Sequence, residues 1–288
     1  MTYRGELVLD AKALLGEGPL WDERDGVLWF TDILNRQLHR FDPETGDAKV
    51  IPVDIEVGTI VPRASGGLVL ATRDGFAALD DGGRITPLAE VEADDPANRM
   101  NDGKCDSSGR LWAGTMAFDC TPGAGTLYTF DADLTIREHL TGLGISNGMA
   151  WTADDATFYF IDSLTSTVAA FDFDVANGAL ANRRTVVTIE GALPDGMCID
   201  AEGHLWVALY NGWAVQRYAP DGTPEERVEL PVPNPTCCAF GGPDLTDLYI
   251  TTARQQLTDD DLAVAPLSGG LFRASVGVAG TAPYAFAG

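Results

Sequence analysis

A short apolar segment recurs six times along the chain at nearly constant spacing. The segments begin at Leu28, Leu68, Leu111, Phe158, Leu205 and Leu248. Successive segments lie roughly 40 to 47 residues apart, which is about the period of one blade of a β-propeller. A repeat sustained over the whole sequence therefore constrains the fold to a ring or stack of similar units.

The spacing between turns indicates several short strands in each period. Turn-forming pairs such as Asp25-Gly26, Ser108-Gly109 and Glu202-Gly203 precede the apolar segments. A second β-rich segment follows each one, and no long apolar stripe with a 3.6-residue period is present. The pattern predicts an all-β, six-bladed β-propeller. A β-sandwich is the alternative, but it does not require a repeat over the full length.

The repeat leaves no obvious boundary or linker, so we expect residues 1–288 to form a single propeller domain. Both termini should take part in closing the ring. Residues Glu6 to Asp10 are predicted to supply a strand to the last blade, beside Pro283 to Phe286.

The formal net charge of −24 limits the classes of partner. It opposes binding to nucleic acid and to anionic membrane surfaces, because like charges repel. We find no apolar run of signal-peptide or membrane-span length. The cysteine count of five is odd, and with no export signal we expect a cytoplasmic protein with free thiols. The cysteines form no CxxC pair, so we do not expect cysteine-ligated zinc.

Four periods carry an acidic or amide residue directly before a glycine at an equivalent position. These pairs are Glu17-Gly18, Asp102-Gly103, Asn147-Gly148 and Asp195-Gly196. Taken singly, each pair is typical of a hairpin turn. Equivalent points in a ring of blades face one another across the channel, so the four polar side chains should converge. Their oxygen ligands suit a hard divalent cation, and glycine permits unusual φ angles and close approach.

Two other groups of polar residues can be placed relative to these repeat-equivalent positions. Arg99 and Asn101 alternate on a predicted strand beside Asp102 and could hold substrate oxygens. The alternative for Arg99 is a surface ion pair with Asp94 or Asp95. The histidines are outside the shared register, and we interpret them as surface or packing residues: His39, His139 and His204.

Several longer motifs resemble the senescence-marker-protein/gluconolactonase/luciferin-regenerating-enzyme family. They are Leu15-Gly16-Glu17-Gly18-Pro19, Asn98-Arg99-Met100-Asn101-Asp102-Gly103-Lys104, Gly109-Arg110-Leu111-Trp112-Ala113-Gly114-Thr115-Met116, Ile145-Ser146-Asn147-Gly148 and Pro194-Asp195-Gly196-Met197-Cys198-Ile199-Asp200. The resemblance covers essentially the whole chain. It implies a six-bladed propeller with one divalent cation in its central channel, with calcium as the first expectation and zinc, manganese or magnesium as alternatives.

The resemblance also assigns roles to individual residues. It implies that Glu17, Asn147 and Asp195 are the metal ligands and that Asp195 is also the general base. Arg99 and Asn101 match substrate contacts of the family, while Asp102 becomes a neighbour of the ligands. After the Gly-Thr-Met motif this chain departs from part of the family, which has an acidic pair and a longer loop there.

In that shortened segment, Asp119 is predicted to keep one acidic contact with the substrate. The implied function is hydrolysis of a sugar lactone, an aldonolactone resembling gluconolactone, to the aldonic acid. The alternatives are a calcium-binding regulatory protein and an esterase or phosphotriesterase on the same propeller.

Overall fold

The computed structural model describes residues 1–80 and 82–288, and strands dominate it. Two short strands come first: β1 (Thr2–Arg4) and β2 (Glu6–Leu9). Blade 1 comprises β3 (Gly16–Asp22), β4 (Val27–Asp32), β5 (Gln37–Phe41) and β6 (Ala48–Pro52). Blade 2 comprises β7 (Val57–Pro62), β8 (Leu68–Thr72), β9 (Gly75–Leu79) and β10 (Ile85–Glu90).

The next two blades have the same four-stranded antiparallel order. Blade 3 comprises β11 (Asn98–Cys105), β12 (Leu111–Ala117), β13 (Gly125–Phe130) and β14 (Ile136–Leu143). Blade 4 comprises β15 (Ser146–Trp151), β16 (Thr157–Asp162), β17 (Thr167–Asp174) and β18 (Ala179–Thr188). A single 3₁₀ turn, Ser163–Thr165, connects β16 to β17.

The last two blades recruit the N-terminal strands. Blade 5 comprises β19 (Leu193–Ile199), β20 (Leu205–Tyr210), β21 (Ala214–Tyr218) and β22 (Pro224–Glu229), with β1 added outside. Blade 6 comprises β23 (Pro235–Gly241), β24 (Asp247–Thr252) and β25 (Leu271–Ser275), with β2 as its fourth strand. A short helix, α1 (Asp259–Val264), lies between β24 and β25.

The first strand of each blade is the innermost one. Neighbouring inner strands contact each other in the order β3, β7, β11, β15, β19 and β23, and β23 contacts β3 again. The six sheets therefore form a closed ring around a central channel, and the predicted six-bladed propeller is confirmed.

Apolar side chains on facing sheets fill the spaces between blades. Phe76 and Phe130 stack across blades 2 and 3, with ring centroids 4.5 Å apart. Trp206 meets Phe240 edge-on across blades 5 and 6, at 6.1 Å. Burial of such a side chain is worth roughly 1.5–3 kcal/mol, so these contacts hold each blade to the next.

A buried aspartate follows the inner strand in two of the blades. Asp106 accepts hydrogen bonds from the indole nitrogen of Trp112 at 2.9 Å and from Arg110 Nε at 2.7 Å. Asp200 accepts equivalent bonds from Trp206 at 2.9 Å and Arg217 at 2.8 Å. These polar turns join the inner strand to its neighbour at the end of the ring that we call the lower face.

Ring closure differs in part from the expectation. The strand at Glu6–Leu9 does join blade 6, but it pairs antiparallel with Leu271–Ser275 and not with Pro283 to Phe286. The predicted partner, Pro283 to Phe286, was wrong because β25 is the third strand of this blade, and β2 pairs with its free edge. Residues 283–286 instead belong to a segment at the lower face, where fully buried Phe286 stacks on Phe130 and pairs with Arg63.

No helix in the described part of the chain has the length and apolar character needed to cross a membrane.

Candidate active site

Each inner strand carries a β-bulge near its upper end. In β3 the pairing register shifts between Glu17 and Leu20, in β15 between Ser146 and Met149, and in β19 between Pro194 and Met197. The same irregularity occurs in β7, β11 and β23. A bulge releases residues from the ladder and redirects side chains. The repeat-equivalent polar residues therefore leave the sheet where the strands line the channel.

At most of these positions glycine is required because a neighbouring strand approaches closely, and not because the backbone has an unusual φ angle. A Cβ atom on Gly148 would lie 2.8 Å from the carbonyl oxygen of Asp195, and one on Gly58 would overlap the carbonyl oxygen of Asn101. Among the four glycines of the shared motif, Gly18 has a left-handed φ, +53°. Close approach of successive inner strands is thus the general reason for glycine here, while unusual φ applies to Gly18 alone.

Glu17, Asn147 and Asp195 meet in one cavity at the upper end of the channel. All three are buried, with 4%, 2% and 7% of their surface exposed. The amide nitrogen of Asn147 donates hydrogen bonds to Asp195 Oδ1 and, at 3.1 Å, to Ser163 Oγ. This orientation leaves the buried Oδ1 of Asn147 with no hydrogen-bond donor. An unpartnered acceptor beside two carboxylates is a set of oxygens that a hard divalent cation would satisfy.

Burial and mutual repulsion disfavour ionised carboxylates at this point. Burial is the main cause that raises the pKa of Glu17 well above its ordinary value, and the charges of Asp195 and Asp102 add to it. Burial likewise raises the pKa of Asp195 to about 8, although the hydrogen bond from Asn147 acts against the shift. A bound cation would reverse the effect by favouring both anions.

Asp102 lies beside this group but does not line the same cavity. Its Oδ1 accepts a hydrogen bond from the Gly103 amide at 2.7 Å, and its buried Oδ2 has no partner. Burial raises the pKa of Asp102, and the ammonium of Lys104 opposes that shift. Asp102 therefore lies next to the candidate ligands without lining their cavity.

Residues 1–80 and 82–288 contain no group of three or more histidine, cysteine, aspartate or glutamate side chains placed to hold a metal ion. The candidate set supplies only two carboxylates, Glu17 and Asp195. The third protein ligand would be the amide oxygen of Asn147, so most of the coordination sphere would have to come from water or substrate.

Arg99 and Asn101 form a donor pair in the wall of the same cavity. Arg99 Nη1 donates to Asn101 Oδ1 at 2.7 Å and to the Met100 carbonyl oxygen at 3.0 Å, while Arg99 Nε is buried without a partner. Asn101 Nδ2 donates to the carbonyl oxygen of Ser146 at 2.9 Å. Only 4% of Arg99 is exposed, so the alternative of a surface ion pair was wrong.

Burial lowers the pKa of Arg99 to about 10, and the nearby acidic groups oppose that shift. The guanidinium therefore stays charged at neutral pH. The cavity that it faces has a volume of about 240 Å³. A fixed cation with unpaired N–H donors suits the hydroxyl or carbonyl oxygens of a small polar ligand.

The structure does not bring Asp119 into the cavity. Its exposed carboxylate accepts hydrogen bonds from the backbone amide and hydroxyl of Thr121, at 2.9 and 2.7 Å. The residues on either side, Phe118 and Cys120, line the cavity instead. Phe118 also lies 5.8 Å from the guanidinium carbon of Arg99.

Sequence reasoning missed the contribution of blades 5 and 6 to the rim. Tyr210, Gln255 and Gln256 line the cavity, and the Tyr210 hydroxyl donates to the Gln255 carbonyl oxygen at 3.1 Å. The two glutamines lie in the connection from β24 to β25, which is much longer than a hairpin turn. The long interval in the sequence between β24 and the last strand, β25, is the feature that could have identified this segment.

The histidines have packing roles, as expected. His39 stacks on Phe30 with ring centroids 4.4 Å apart, and His139 packs on Trp112 at the same distance. His204 lies near the carboxylates of the lower face. None of the three lines the cavity.

Fold and cavity together define a six-bladed propeller with acidic and amide side chains gathered at one end of its channel. The model of the SMP-30/Gluconolactonase/LRE-like region matches residues 15–254, and the chain belongs to this family. It is 42% identical to regucalcin of Xenopus laevis over 293 residues, which covers 98% of each chain.

Two solved structures support the same placement. A calcium-binding protein, regucalcin, from Agrobacterium tumefaciens is 31% identical, with a TM-score of 0.96 and coverage of 99% of this chain and 98% of that one. A luciferin-regenerating enzyme is 33% identical, with a TM-score of 0.93 and coverage of 99% of both chains.

Proposed function

We propose that this protein is a divalent-cation-dependent lactonase that opens an aldonolactone to the aldonic acid. The observation that carries the proposal is the convergence of Glu17, Asn147 and Asp195 with Arg99 and Asn101 in one cavity. The first three offer oxygens to a cation, and the last two offer fixed donors to a hydroxylated ligand. Membership of a family whose description includes gluconolactonase supports the same class of reaction.

Glu17, Asn147 and Asp195 would hold the cation, which supplies Lewis-acid polarisation of the lactone carbonyl. Calcium is our first choice because all three ligands are oxygen atoms and the related regucalcin is described as calcium-binding. Zinc, manganese and magnesium are the alternatives.

The proposed general base is Asp195. Its Oδ1 accepts the hydrogen bond from Asn147, so Oδ2 is the atom assigned to take the proton from the attacking water. The same atom returns that proton to the ring oxygen as the ring C–O bond of the lactone breaks. A cation lowers the basicity of a carboxylate that binds it, and the burial that raises the pKa of Asp195 to about 8 acts in the opposite direction. The two effects together can keep Asp195 a useful base near neutral pH.

Arg99 and Asn101 are assigned to bind the sugar. The hydrogen bond between them fixes both side chains, and Asn101 is fixed further by its bond to Ser146. Rigid donors orient the lactone so that water attacks the carbonyl from the side of Asp195. No covalent nucleophile is required for this step.

A panel of lactones measured against a panel of metals tests the proposal. The purified protein is depleted of metal, reloaded with calcium, zinc, manganese or magnesium, and assayed with glucono-, galactono-, xylono- and gulono-lactones. We expect opening of at least one lactone well above its spontaneous rate. The proposal is wrong if no combination exceeds that rate, or if only simple esters or phosphotriesters are cleaved.

A calcium-binding regulatory protein is the second candidate, because the Agrobacterium regucalcin is described as calcium-binding. Both functions use the same carboxylates. The buried Arg99–Asn101 pair favours an enzyme, because a cation store gains nothing from a positive charge beside its ligands. Calcium binding without any lactone opening would favour the second candidate.

A further inference from the structure

A second cavity adjoins the candidate active site between blades 5 and 6. Leu193, Tyr210 and Gln256 line both cavities, so the two cavities meet at these residues. The second cavity has a volume of about 650 Å³, compared with about 240 Å³ for the first. Ordinary ligand pockets measure roughly 300–1,000 Å³. The active-site cavity alone is thus small, and the two together offer room for a larger substrate.

Trp213 lines the second cavity with a partly open indole. It is 41% exposed and has a left-handed φ of +58°, which is rare for a bulky side chain. Such a backbone conformation is strained and persists where surrounding contacts impose it. Here its amide donates to the Pro233 carbonyl oxygen at 3.2 Å, and its own carbonyl oxygen accepts from Leu230 at 2.9 Å.

The rest of the cavity wall combines amides with apolar surface. Asn211, Asn234 and Gln256 line it, as does Val264 of helix α1, which is 78% exposed. The carboxylate of Asp261 also lines the cavity, but it is engaged in the capping box at the start of that helix. The wall therefore offers an aromatic face and neutral hydrogen-bonding groups.

We propose that this second cavity binds a glycosyl ring attached to the lactone, so that the substrate is a disaccharide aldonolactone. This inference rests on the proposed lactonase function. A pyranose ring has apolar C–H faces that can pack on an indole and hydroxyl groups that can bond to amides. The lactone ring would occupy the active-site cavity, and the second ring would pass Leu193 and Tyr210 to reach Trp213.

The test compares matched lactones with the calcium-loaded protein. Glucono-δ-lactone is the parent compound. Cellobiono-δ-lactone and gentiobiono-δ-lactone carry a second glucose on O4 and O6, and 6-O-benzyl-glucono-δ-lactone carries an apolar group instead. We expect at least one disaccharide lactone to exceed the parent by about tenfold in kcat/KM, the equivalent of one good contact.

Trp213→Asn tests the role of the indole, because asparagine tolerates a left-handed φ. It should reduce the advantage of the disaccharide lactone to less than about threefold, mainly through a higher KM. Leu134→Asn is the matched control: Leu134 is 44% exposed and has a φ of +68°, but it lies in a turn of the lower face. This control should preserve the wild-type preference.

Each other outcome has a distinct meaning. If kcat/KM for the parent lactone equals that for both disaccharide lactones, the cavity is not a glycosyl site and the lactonase proposal stands. Preference for the benzyl ether over both disaccharides, or an equal loss on all substrates in Trp213→Asn, also overturns the inference. If no lactone is opened with any metal, the proposed function fails and the inference fails with it.

Discussion

Replacement of Arg99 by alanine separates a lactonase from a protein that only stores a cation. Arg99 is 4% exposed, and its guanidinium faces the cavity that holds the candidate metal ligands. We expect Arg99→Ala to lower kcat/KM for the lactone substrate while the cation is bound at least as tightly as before.

The expected magnitude follows from the contacts of the side chain. Arg99 has a free Nε donor and an Nη1 group that orients Asn101 at 2.7 Å, so alanine removes a charged hydrogen bond and releases its neighbour. A hydrogen bond to a charged group is worth roughly 1.5–3 kcal/mol, which corresponds to a loss on the order of tenfold to a hundredfold. Arg99 also places a positive charge close enough to Glu17 and Asp195 to influence both carboxyl groups. That charge repels a cation held between them, so its removal should leave cation binding at least as tight.

Steady-state kinetics and calorimetric titration of calcium on the same variant provide the two measurements. Arg63→Ala is the control, because Arg63 is bonded to the Gly288 carbonyl oxygen at the lower face. It should leave both quantities close to wild type. Normal kcat/KM in Arg99→Ala together with changed calcium affinity would refute the substrate-binding role of Arg99.

Three further predictions concern two of the candidate ligands and one partly buried histidine. Asp195→Ala should abolish turnover without unfolding, and excess metal should not restore it; substantial activity at saturating metal would exclude Asp195 as the base. Glu17→Gln should raise the metal concentration that gives half-maximal rate, and an unchanged titration would contradict its role as a ligand. Burial and nearby arginines lower the pKa of His139 to about 4, so the native state binds fewer protons than the unfolded state below the ordinary pKa. The free energy of unfolding should therefore fall as the pH falls from about 6.5 to 4. His139→Gln should weaken that fall in urea denaturation, and an identical pH dependence would refute the assignment.

At the lower face, the sequence repeat predicts the positions of the turns but not the side-chain contacts that they make. The polar turns at Asp106 and Asp200 recur in phase, so they could be anticipated as turns. Their bonds to Trp112 and Trp206 required the structure, because they depend on how the second strand folds back on the first. The contact of Phe286 with blades 2 and 3 had no local signal at all, since it joins positions that are distant in sequence.

The candidate site divides in the same way. The repeat predicted that Glu17, Asp102, Asn147 and Asp195 converge, because each precedes a glycine at an equivalent point and a closed ring brings such points together. The family resemblance then implied that three of the four, without Asp102, are the metal ligands. Asp119 was placed by resemblance alone, and the shortened segment instead turns its carboxylate toward Thr121. A changed loop has no period, so its side-chain directions could not be inferred.

By itself the sequence determined the number of blades, the inner strand of each and the acidic or amide residues at the upper end of four of them, because these features are local and repeat along the chain. Tertiary structure alone decided the partner of β2, the bulges that redirect the candidate ligands, and the cavity lined by Trp213 and Gln256. The physical reason is that the partner of β2 and this cavity arise where non-repeating segments pack against the closed ring, and such packing depends on residues far away in the sequence. The bulges repeat in every blade, but they depend on the pairing register of two strands, which the local residue pattern does not show.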